Sequence, residues 1–215
     1  TTLANDQGET IVLPIFCAAH SSENRENFFL GLDFLWRHGF AGGHLSIPHP
    51  LFFSSYLNGV FYRGVEGYNL HHYLYLQDKP KIEEIVAFAA QWFARLHSLP
   101  VDTVDASFPE GFIPNVVPGM EKTLGYIAER YPQYLSFYQK AYKLFTDREI
   151  EFRKKHNYRC LLHGDAHPDN IIWVHTGQVA LIDLNDLSLG DPARDLGCFF
   201  EQLRYMGQKE GFDPE

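Results

Sequence analysis

The stretch LLHGDAHPDNIIWV, residues Leu161–Val174, sets a dense group of polar side chains between two apolar runs. Two histidines, two aspartates and one asparagine fall within the eight residues 163–170, and the apolar, strand-like residues 171–174 follow at once. Such side chains bind metal ions and transfer protons, so this loop is the strongest functional candidate in the chain. By itself, the loop fits a histidine metal site, a catalytic loop or a polar turn.

The residues after this loop predict where its polar groups meet. A second apolar run, GQVALIDL, follows a turn at Thr176–Gly177, and the two runs predict a β-hairpin. Asn170 stands at the start of the first strand and Asp183 at the end of the second, so the hairpin brings them together. Amide and carboxylate oxygens suit Mg²⁺. Asp165, on the preceding loop, is placed to accept a proton from a hydroxyl group, and the whole arrangement is typical of phosphoryl transfer.

Two other interpretations of the loop are weaker. His163 and His167 could form the metal pair of a hydrolase, but no other His, Asp or Glu set in the sequence completes a shell of three or four ligands. A polar turn without function would not explain why Asp165, Asn170 and Asp183 occur together at the spacing of a phosphoryl-transfer site. We therefore favour the catalytic loop.

Four motifs resemble one known family. The motif HGDAHPDN (163–170) followed by ALIDL (180–184) resembles the signature of the aminoglycoside phosphotransferase and choline kinase family, within the protein-kinase-like superfamily. Three further segments are similar to the family's motif after the metal-binding aspartate, its helix end between the lobes and its hinge: GDPARDLG (190–197), RLHSLP (95–100) and FYRGVEGYNL (61–70). Such matches run from about Glu26 to Gly197, which is most of the chain.

The resemblance implies an α+β, protein-kinase-like fold with two lobes. The N-lobe would be small, β-rich and incomplete, and the C-lobe larger and mostly helical. We place the N-lobe at residues 1–67, ending at the hinge, and the C-lobe at residues 68–215, carrying the catalytic loop and the metal-binding hairpin. The sequence starts at Thr1 and stops soon after a helical pattern. We therefore expect a fragment that is truncated at its C-terminus.

Local patterns predict the elements of both lobes. Glu9–Cys17 predicts a strand that Pro14 interrupts, because proline lacks the N–H of a strand ladder. Ser22–His38 predicts an amphipathic helix that Gly39 stops. The runs LFF (51–53) and VFYRGV (60–65) predict a second hairpin. Further helices are predicted after Lys81, over Met120–Arg130 and Pro132–His156, and in the final run RDLGCFFEQLRYMG.

The resemblance also implies roles for single residues. Asp165 would be the catalytic base, and Asn170 and Asp183 would be the Mg²⁺ ligands. His163 would support the catalytic loop without reacting. His167 stands where protein kinases often carry a lysine that faces the γ-phosphate, so it is a candidate for a contact to phosphate or acceptor.

The resemblance further implies a nucleotide site at the hinge. Adenine would bind the backbone C=O of Arg63 and the N–H of Val65. Glu26, on the first helix, would match the glutamate that holds the phosphate-binding lysine. Asp186 is a candidate carboxylate on the acceptor side, and Asp195 would hold the loop through hydrogen bonds. The co-substrate would be ATP or GTP, with Mg²⁺ as the cofactor.

The sequence departs from the family pattern at the nucleotide phosphates. Pro14 stands about where the strand lysine is expected, and no Lys or Arg occurs before Arg25. No glycine-rich loop precedes this strand. Glu23 is an alternative to Glu26 as the helix glutamate. Either the chain is a fragment, or its binding of the nucleotide phosphates is weakened.

Two main hypotheses for function follow. The first is a Mg²⁺-dependent phosphotransferase that moves the γ-phosphate of ATP or GTP to a hydroxyl group of a small molecule. The second is a catalytically impaired or silent pseudokinase that binds a nucleotide or metabolite. A protein kinase acting on Ser or Thr is less favoured, because no activation segment separates Asp183 from the final helix.

Composition narrows the partners. The 215 residues carry 18 Lys+Arg against 27 Asp+Glu, a formal net charge of −9, so we expect no nucleic-acid partner. The acidic balance suits a cationic acceptor. No apolar run reaches the roughly 18 residues of a membrane helix, and we expect no membrane association. The cysteines, Cys17, Cys160 and Cys198, form no CxxC pair, which favours a reducing, cytoplasmic location. The sequence does not indicate an oligomeric state.

Overall fold

The computed structural model covers most of the chain. Three residues used in the predictions above, Glu9, Ser22 and Thr176, lie outside the described residues. The described residues are 2–4, 10–12, 14–21, 23, 25–101, 106–115, 119–156, 159–174 and 177–212.

Short strands in the described residues form four sheets. The largest sheet has five strands, another has three, and two have two strands each. The strands are β1 (Thr2–Ala4), β2 (Thr10–Val12), β3 (Ile15–Ala19), β4 (Ala41–Gly42), β5 (Leu45–Ser46), β6 (His49–Ser54), β7 (Gly59–Arg63), β8 (Gly67–Asn69), β9 (Cys160–Leu162), β10 (Ile171–Val174), β11 (Gln178–Leu181) and β12 (Ser188–Gly190).

Helices dominate the part of the chain that follows the first 69 residues. Short 3₁₀ turns, among them Pro168–Asn170 and Leu184–Asp186, link some of the elements. The α-helices are α1 (Arg25–Leu35), α2 (Leu70–Tyr75), α3 (Lys79–His97), α4 (Met120–Arg130), α5 (Leu135–Lys155) and α6 (Ala193–Lys209).

Helix α1 begins at Arg25, slightly later than the sequence predicted, and widens at its end into a π-type turn, Trp36–Phe40. Gly39 within this turn has a φ of +99°, in the left-handed region that side chains avoid. A Cβ at this position would also lie 2.9 Å from a guanidinium nitrogen of Arg95. The predicted stop at Gly39 is confirmed, because the backbone leaves helical φ/ψ angles at His38 and Gly39.

The N-terminal sheet has the order β3–β7–β6, with all neighbours antiparallel. The predicted hairpin is confirmed as β6 and β7, and its turn contains Asn58 at a φ of +42°. The strand predicted across residues 9–17 is split, since β2 ends at Val12 and β3 begins at Ile15, just after Pro14. Proline cannot donate to the ladder, so it lies outside both strands. Helix α1 packs against β6 and β7.

The second sheet contains the predicted C-terminal hairpin, which is confirmed as β10 and β11 with Ile171 opposite Leu181. Strand β8 pairs with β10 in antiparallel fashion and places Asn69 opposite Ile172, while β5 pairs with β11 in parallel. The chain that leaves the N-terminal sheet is therefore bonded directly to the hairpin. Strands β4 and β5 also belong to the hairpin sheet, and a lobe boundary at residue 67 stays a prediction.

Gly67 makes the contact between β8 and β10 possible. Its φ is +156°, and a Cβ there would lie 2.1 Å from the carbonyl oxygen of Trp173. No side chain could occupy that space, so glycine is required where the chain passes from one sheet to the other.

Helix α3 lies at the centre of the hydrophobic core. Asp78 caps its N-terminus by accepting the backbone N–H of Lys81. The indole N–H of Trp92 donates to the carbonyl of Ser46 at 3.0 Å, which ties the helix to β5. Full burial of one such large apolar side chain contributes about 1.5–3 kcal/mol. The buried residues of α3 are Ile82, Ile85, Ala89, Trp92, Phe93 and Leu96. Among the described helices, none combines the length and the apolarity that crossing a membrane requires.

Candidate active site

The loop between β9 and β10 carries the polar motif and makes a sharp turn at Gly164. This glycine has a φ of +86°, and a Cβ there would lie 2.1 Å from the backbone oxygen of Asp186. The absence of a side chain therefore lets the loop lie directly against the backbone of the turn that follows Asp183. The 3₁₀ turn Pro168–Asn170 then places Asn170 immediately before Ile171, the first residue of β10.

Asp165, His167 and Asn170 form one hydrogen-bonded group. The amide nitrogen of Asn170 donates to the backbone oxygen of Asp165 at 3.0 Å and lies 3.3 Å from its carboxylate Oδ2. His167 Nε2 lies 3.0 Å from the same amide nitrogen and 3.3 Å from Asp165 Oδ2. The Asp165 side chain is 43% exposed. One carboxylate oxygen is therefore held by the protein, while the Asp165 side chain remains partly exposed to solvent.

Asn170 turns its amide nitrogen towards the loop. The residue is almost fully buried, and its amide oxygen accepts no hydrogen bond from the described residues. The backbone N–H of Ile182 donates to the Asn170 carbonyl at 3.0 Å, which extends the pairing of β10 and β11 to their ends. The side chain thus keeps one oxygen available beside the hairpin end where Asp183 begins the next turn.

Asp183 follows β11 and has the left-handed conformation φ 58°, ψ 56°. Such a conformation is uncommon outside glycine and is often found at functional sites. The side-chain amide of Asn185 donates to Asp183 Oδ1, and Arg25 Nη1 donates to Asn185 Oδ1 at 2.7 Å. A chain of two hydrogen bonds therefore links the first residue of α1 to this carboxylate.

Asp165, Asp183 and Asp186 concentrate negative charge at this site. Burial raises the pKa of Asp186 above its ordinary value, and the charges of Asp165 and Asp183 raise it further. His163 and Arg194 oppose this shift. Carboxylates gathered in this way favour a divalent cation, which offsets their repulsion.

His163 is fully buried and uses both ring nitrogens. Its Nε2 donates to the carbonyl of Ile182 at 3.1 Å, and its Nδ1 accepts the backbone N–H of Asp165 at 3.3 Å. Burial lowers the pKa of His163, although nearby carboxylates and the Ile182 carbonyl act in the opposite direction. Neither nitrogen is free for a metal ion, so the interpretation of the loop as a histidine metal pair is wrong. The described residues also contain no group of three or more His, Cys, Asp or Glu side chains able to hold a metal ion.

Asp195 holds the same loop through hydrogen bonds to its backbone. Its carboxylate is 1% exposed and accepts the backbone N–H groups of His163 at 2.8 Å and Gly164 at 3.0 Å. His97 Nε2 lies 3.0 Å from Asp195 Oδ2. Burial works to raise the pKa of Asp195, but these hydrogen bonds outweigh it, and the pKa lies below its ordinary value.

A cavity of about 390 Å³ lies between the N-terminal sheet and the end of β11. Phe16 and Tyr62 stack on one side with ring centroids 5.9 Å apart. The lining includes Gly64 and Val65 of the predicted hinge, and it also includes Asp183. The remaining lining residues are Ala18, Phe28, Leu32, Pro48, Ile182, Leu184 and Asn185.

Two residues predicted to bind the nucleotide do not line this cavity. Arg63 is the last residue of β7 and is paired with Ile15 on one side and His49 on the other. Glu26 is exposed on α1, and its side chain makes no ion pair or hydrogen bond with the described residues. Their assigned roles stay predictions that no contact supports.

Two polar residues to which the sequence assigned no role, Arg25 and His71, make side-chain contacts in the structure. Arg25 pairs with Glu23 at 3.0 Å as well as with Asn185. Its signal in the sequence was its position as the first cation of the chain, inside an otherwise acidic helix start. His71, which by sequence looks like a surface histidine, lies 3.0 Å from Asp169 Oδ1 and 3.1 Å from Glu210 Oε1. No local pattern marks that contact.

A second cavity, of about 830 Å³, lies in the helical part between α5 and the start of α6. Asp165, Asn170 and Asp183 are not among its lining residues. Five Arg or Lys and three Asp or Glu side chains line it, so its charge gives no support to a cationic ligand. These residues are Arg148, Arg153, Lys155, Arg159, Arg194, Glu149, Glu151 and Asp191.

Comparisons with known proteins agree on one family and one fold. The family model described as "Phosphotransferase enzyme family" matches residues 2–214. No curated protein matches the sequence at a significant level. Among solved structures, an aminoglycoside 3'-phosphotransferase of type VIII is 16% identical with a TM-score of 0.57, and the match covers 93% of this chain and 72% of that one.

Two further structures give the same result. A choline kinase from Streptococcus pneumoniae is 18% identical with a TM-score of 0.61 over 94% of this chain and 66% of that one. An aminoglycoside phosphotransferase in a ternary complex with streptomycin and ATP is 19% identical with a TM-score of 0.57, over 91% and 69%. The chain thus spans about two thirds to three quarters of the length of these structures. The predicted α+β, protein-kinase-like fold, with a sheet-containing N-terminal part and a helical C-terminal part, is confirmed.

Proposed function

The chain belongs to the phosphotransferase enzyme family, and from that premise we propose that it transfers the γ-phosphate of ATP, or of GTP, to a hydroxyl group of a small molecule. The observation that carries the proposal is the group formed by Asp165, Asn170 and Asp183 at one end of the β10–β11 hairpin. The cavity that Asp183 lines reaches the hinge residue Val65, which gives a nucleotide a place beside this group.

The residues present fit a magnesium ion. Asn170 keeps an amide oxygen without a hydrogen bond from the described residues, and Asp183 brings a carboxylate to the same hairpin end. Hard oxygen ligands of this kind are those that Mg²⁺ prefers. We assign Asn170 and Asp183 as its ligands, and the bound ion would neutralise charge on the nucleotide phosphates.

Asp165 is assigned as the catalytic base. Its Oδ2 is held by Asn170 and His167, and its Oδ1 accepts no hydrogen bond from the described residues. Oδ1 can therefore accept the proton of an acceptor hydroxyl. The hydroxyl oxygen forms a bond to the γ-phosphorus while the bond from that phosphorus to the β,γ-bridging oxygen breaks, so the products are the phosphorylated acceptor and ADP or GDP.

The nucleotide assignments rest on position. Val65 lines the cavity at the hinge, where its backbone N–H is proposed to bind the base. Arg63 immediately precedes the hinge residues Gly64 and Val65, and its carbonyl oxygen is proposed to accept a hydrogen bond from the base. Glu26 is retained from the resemblance alone. The matched structure with ATP supports a nucleoside triphosphate as co-substrate.

Four residues are proposed to support the chemistry. His163 and Asp195 hold the catalytic loop through the hydrogen bonds described above. His167 Nδ1 is buried, makes no hydrogen bond with the described residues and lies 4.0 Å from Asp169 Oδ2, so its proposed contact to phosphate or acceptor is retained from the resemblance alone. Asp186 adds a further carboxylate near Asp165.

The acceptor is proposed to be a small molecule with a hydroxyl group. Matched structures include a choline kinase and a complex with streptomycin. The formal net charge of −9 favours a cationic acceptor among such molecules. A cytoplasmic location, and the absence of nucleic-acid and membrane partners, stay predictions from the sequence.

One observation favours a second candidate function. Among the described residues that line the nucleotide cavity, none is Lys or Arg. Removal of a cation that stabilises transferring phosphates usually slows catalysis by orders of magnitude. The alternative is therefore a pseudokinase that binds a nucleotide or metabolite without transferring phosphate.

The test is nucleotide turnover by the wild type and by Asp165→Asn. We expect MgATP or MgGTP turnover with at least one member of a panel of amino alcohols and sugars. Asp165→Asn should lower turnover by at least about 100-fold, because a general base contributes about 10²–10⁴-fold to the rate. Its nucleotide affinity, measured by isothermal titration calorimetry, should stay within about threefold, because Asp165 does not line the cavity.

Asp147→Asn provides the matched control. Asp147 is an exposed residue of α5 that pairs only with Lys143 among the described residues, and the variant should behave as the wild type. Turnover that survives Asp165→Asn would contradict the assignment of the base. Tight nucleotide binding with no transfer to any acceptor would favour the pseudokinase.

A further inference from the structure

Among the described residues, the lining of the nucleotide cavity includes a carboxylate but no Lys or Arg, although a triphosphate needs a cation. Phe16 and Ala18 of β3 line it, and Cys17 between them is exposed. Strand β3 therefore presents an aromatic ring and a methyl group where a lysine would serve the phosphates. Phosphoryl transfer depends on positive charge placed against the β- and γ-phosphates. Within the described part of the chain, that charge must come from an element other than β3.

Arg25, the first residue of α1, is placed to supply it. Its side chain is only 11% exposed, although a buried guanidinium loses the solvation of its charge. Nη1 donates to Asn185 Oδ1 at 2.7 Å, and Nη2 lies 3.0 Å from Glu23 Oε2. Nε is buried and has no hydrogen-bond partner among the described residues. Glu23 is 58% exposed, so water weakens its attraction for the guanidinium.

The position of Arg25 relative to the nucleotide cavity follows from shared walls. Arg25 and Glu23 line a neighbouring cavity of about 360 Å³. Phe28, Leu184 and Asn185 line both cavities. A nucleotide whose base lies at the hinge and whose phosphates extend towards Asp183 ends at Asn185, the residue that Arg25 already contacts.

The pKa of the Tyr62 hydroxyl group responds to both Asp183 and Arg25. Tyr62 lines the nucleotide cavity, and burial raises the pKa of its hydroxyl group. The Asp183 carboxylate raises this pKa further, while the Arg25 guanidinium lowers it. Arg25 therefore acts on a group inside the cavity, within the same region as the proposed metal ligand Asp183.

We infer that Arg25 binds the nucleotide phosphates and takes the place of the missing strand lysine. The inference rests on the proposed function, because it requires a nucleotide in the cavity. Asn185 and Glu23 hold the guanidinium beside Asp183, and the planar fork of its N–H groups suits phosphate oxygens. The cation would reach the phosphates from helix α1 and not from β3.

The experiment measures nucleotide binding without Mg²⁺, so that it does not depend on turnover. ATP, ADP and adenosine are titrated against wild type, Arg25→Gln and Arg25→Lys by calorimetry. Arg25→Gln should weaken ATP and ADP binding by about 10- to 100-fold, as expected for loss of a charge-assisted contact, and leave adenosine binding within about twofold. Arg25→Lys keeps the charge and loses the fork that pairs Asn185 and Glu23, so its ATP affinity should stay within about fivefold of the wild type.

Arg37→Gln is the matched control. Arg37 lies in the turn that continues α1, is 73% exposed and pairs with Asp33, so its loss should leave all three affinities unchanged. Equal weakening of adenosine and ATP by Arg25→Gln would show a purely structural role and overturn the inference. So would unchanged ATP affinity. If Arg25→Gln does not fold, the Lys variant decides: an ATP affinity that falls by more than about fivefold, or equal weakening of ATP and adenosine, would also overturn the inference.

Failure of the proposed function gives a different result. If the wild type binds neither ATP nor adenosine, nucleotide use itself is contradicted and the inference falls with it. If the wild type binds ATP more tightly than adenosine and Arg25 variants do not reduce this difference, only the role of Arg25 is contradicted.

Discussion

Single residues in this protein carry several interactions each, and Asp195 is the strongest example. Its carboxylate is almost fully buried, yet three donors surround it, two of them backbone N–H groups of the catalytic loop. A buried charge is tolerated only when hydrogen bonds replace water. Asp195 therefore fixes the backbone that precedes Asp165, at a cost in solvation that its partners offset.

Replacing this carboxylate should reduce stability. We expect Asp195→Asn to lower the free energy of unfolding by about 2–4 kcal/mol, because it removes the charge from three hydrogen bonds and turns an amide N–H towards a donor. Guanidinium denaturation followed by circular dichroism measures this change. The exposed variant Asp147→Asn should change stability by less than about 0.5 kcal/mol.

The effect of Asp195 should depend on pH in one direction. Its pKa is lowered on folding from an ordinary value of 3.8, so its contribution is complete above pH 3.8 and is lost as the pH falls through the lower folded-state pKa. The stability gap between wild type and Asp195→Asn should therefore be constant from about pH 5 to pH 7 and shrink in stronger acid. A gap that widens on acidification would contradict the lowered pKa.

At the scale of elements, the β10–β11 hairpin and the turns at its end form the site. Four register pairs hold the two strands; the 3₁₀ turn Pro168–Asn170 immediately precedes β10, and the 3₁₀ turn Leu184–Asp186 follows β11. Backbone pairing, and not the side chains, therefore decides that Asn170 and Asp183 lie together. Helix α2 and the end of α6 support the first of these turns through His71, which contacts both Asp169 and Glu210.

The contact of His71 with Glu210 should be measurable as a coupling between α2 and the end of α6. In a double-mutant cycle of His71→Gln and Glu210→Gln, we expect a coupling free energy of about 0.5–1 kcal/mol, since both side chains are partly exposed and water screens the pair. In a parallel cycle of His72→Gln and Glu210→Gln, the coupling free energy should be less than about 0.3 kcal/mol, because His72 stacks on Tyr68. Equal coupling in both cycles would show that the contact of His71 contributes nothing specific.

At the scale of the whole molecule, the proposed nucleotide site lies between two sheets. Strands β3 and β7 of the N-terminal sheet supply one wall, and the residues after β11 supply the other. A ligand in this cavity therefore contacts both parts of the protein and stabilises their packing. By mass action, a ligand at about 100 times its Kd adds about 2.7 kcal/mol to the free energy of unfolding.

We expect ADP to raise the melting temperature and Mg²⁺ to increase the rise. The increment due to Mg²⁺ should disappear in Asn170→Ala and Asp183→Asn, because each removes one proposed oxygen ligand. Thermal denaturation with ADP, with and without Mg²⁺, measures the increment, and Asp147→Asn again serves as the control. A magnesium increment that survives Asp183→Asn would contradict the assignment of the metal site.

The sequence by itself determined the family and the fold class, and it predicted the region of the candidate site. The motif at residues 163–170, the hairpin after it and the helix stop at Gly39 are recognisable because each depends on short-range spacing and local backbone conformation. The split of the first strand at Pro14 has the same local origin. The sequence also indicated that the strand lysine is missing, since no Lys or Arg occurs before Arg25.

Only the tertiary structure decided which distant side chains surround these motifs. Arg25 and Asn185 are 160 positions apart, and His71 and Glu210 are 139 apart. Helix packing turned Glu26 outward and Arg25 inward, although the two are adjacent in the chain. Such contacts depend on how elements rotate and pack against one another, which local periodicity does not encode. The resemblance therefore pointed to the loop at residues 163–170 as the candidate catalytic loop, whereas packing singled out Arg25 as the candidate cation for the nucleotide phosphates.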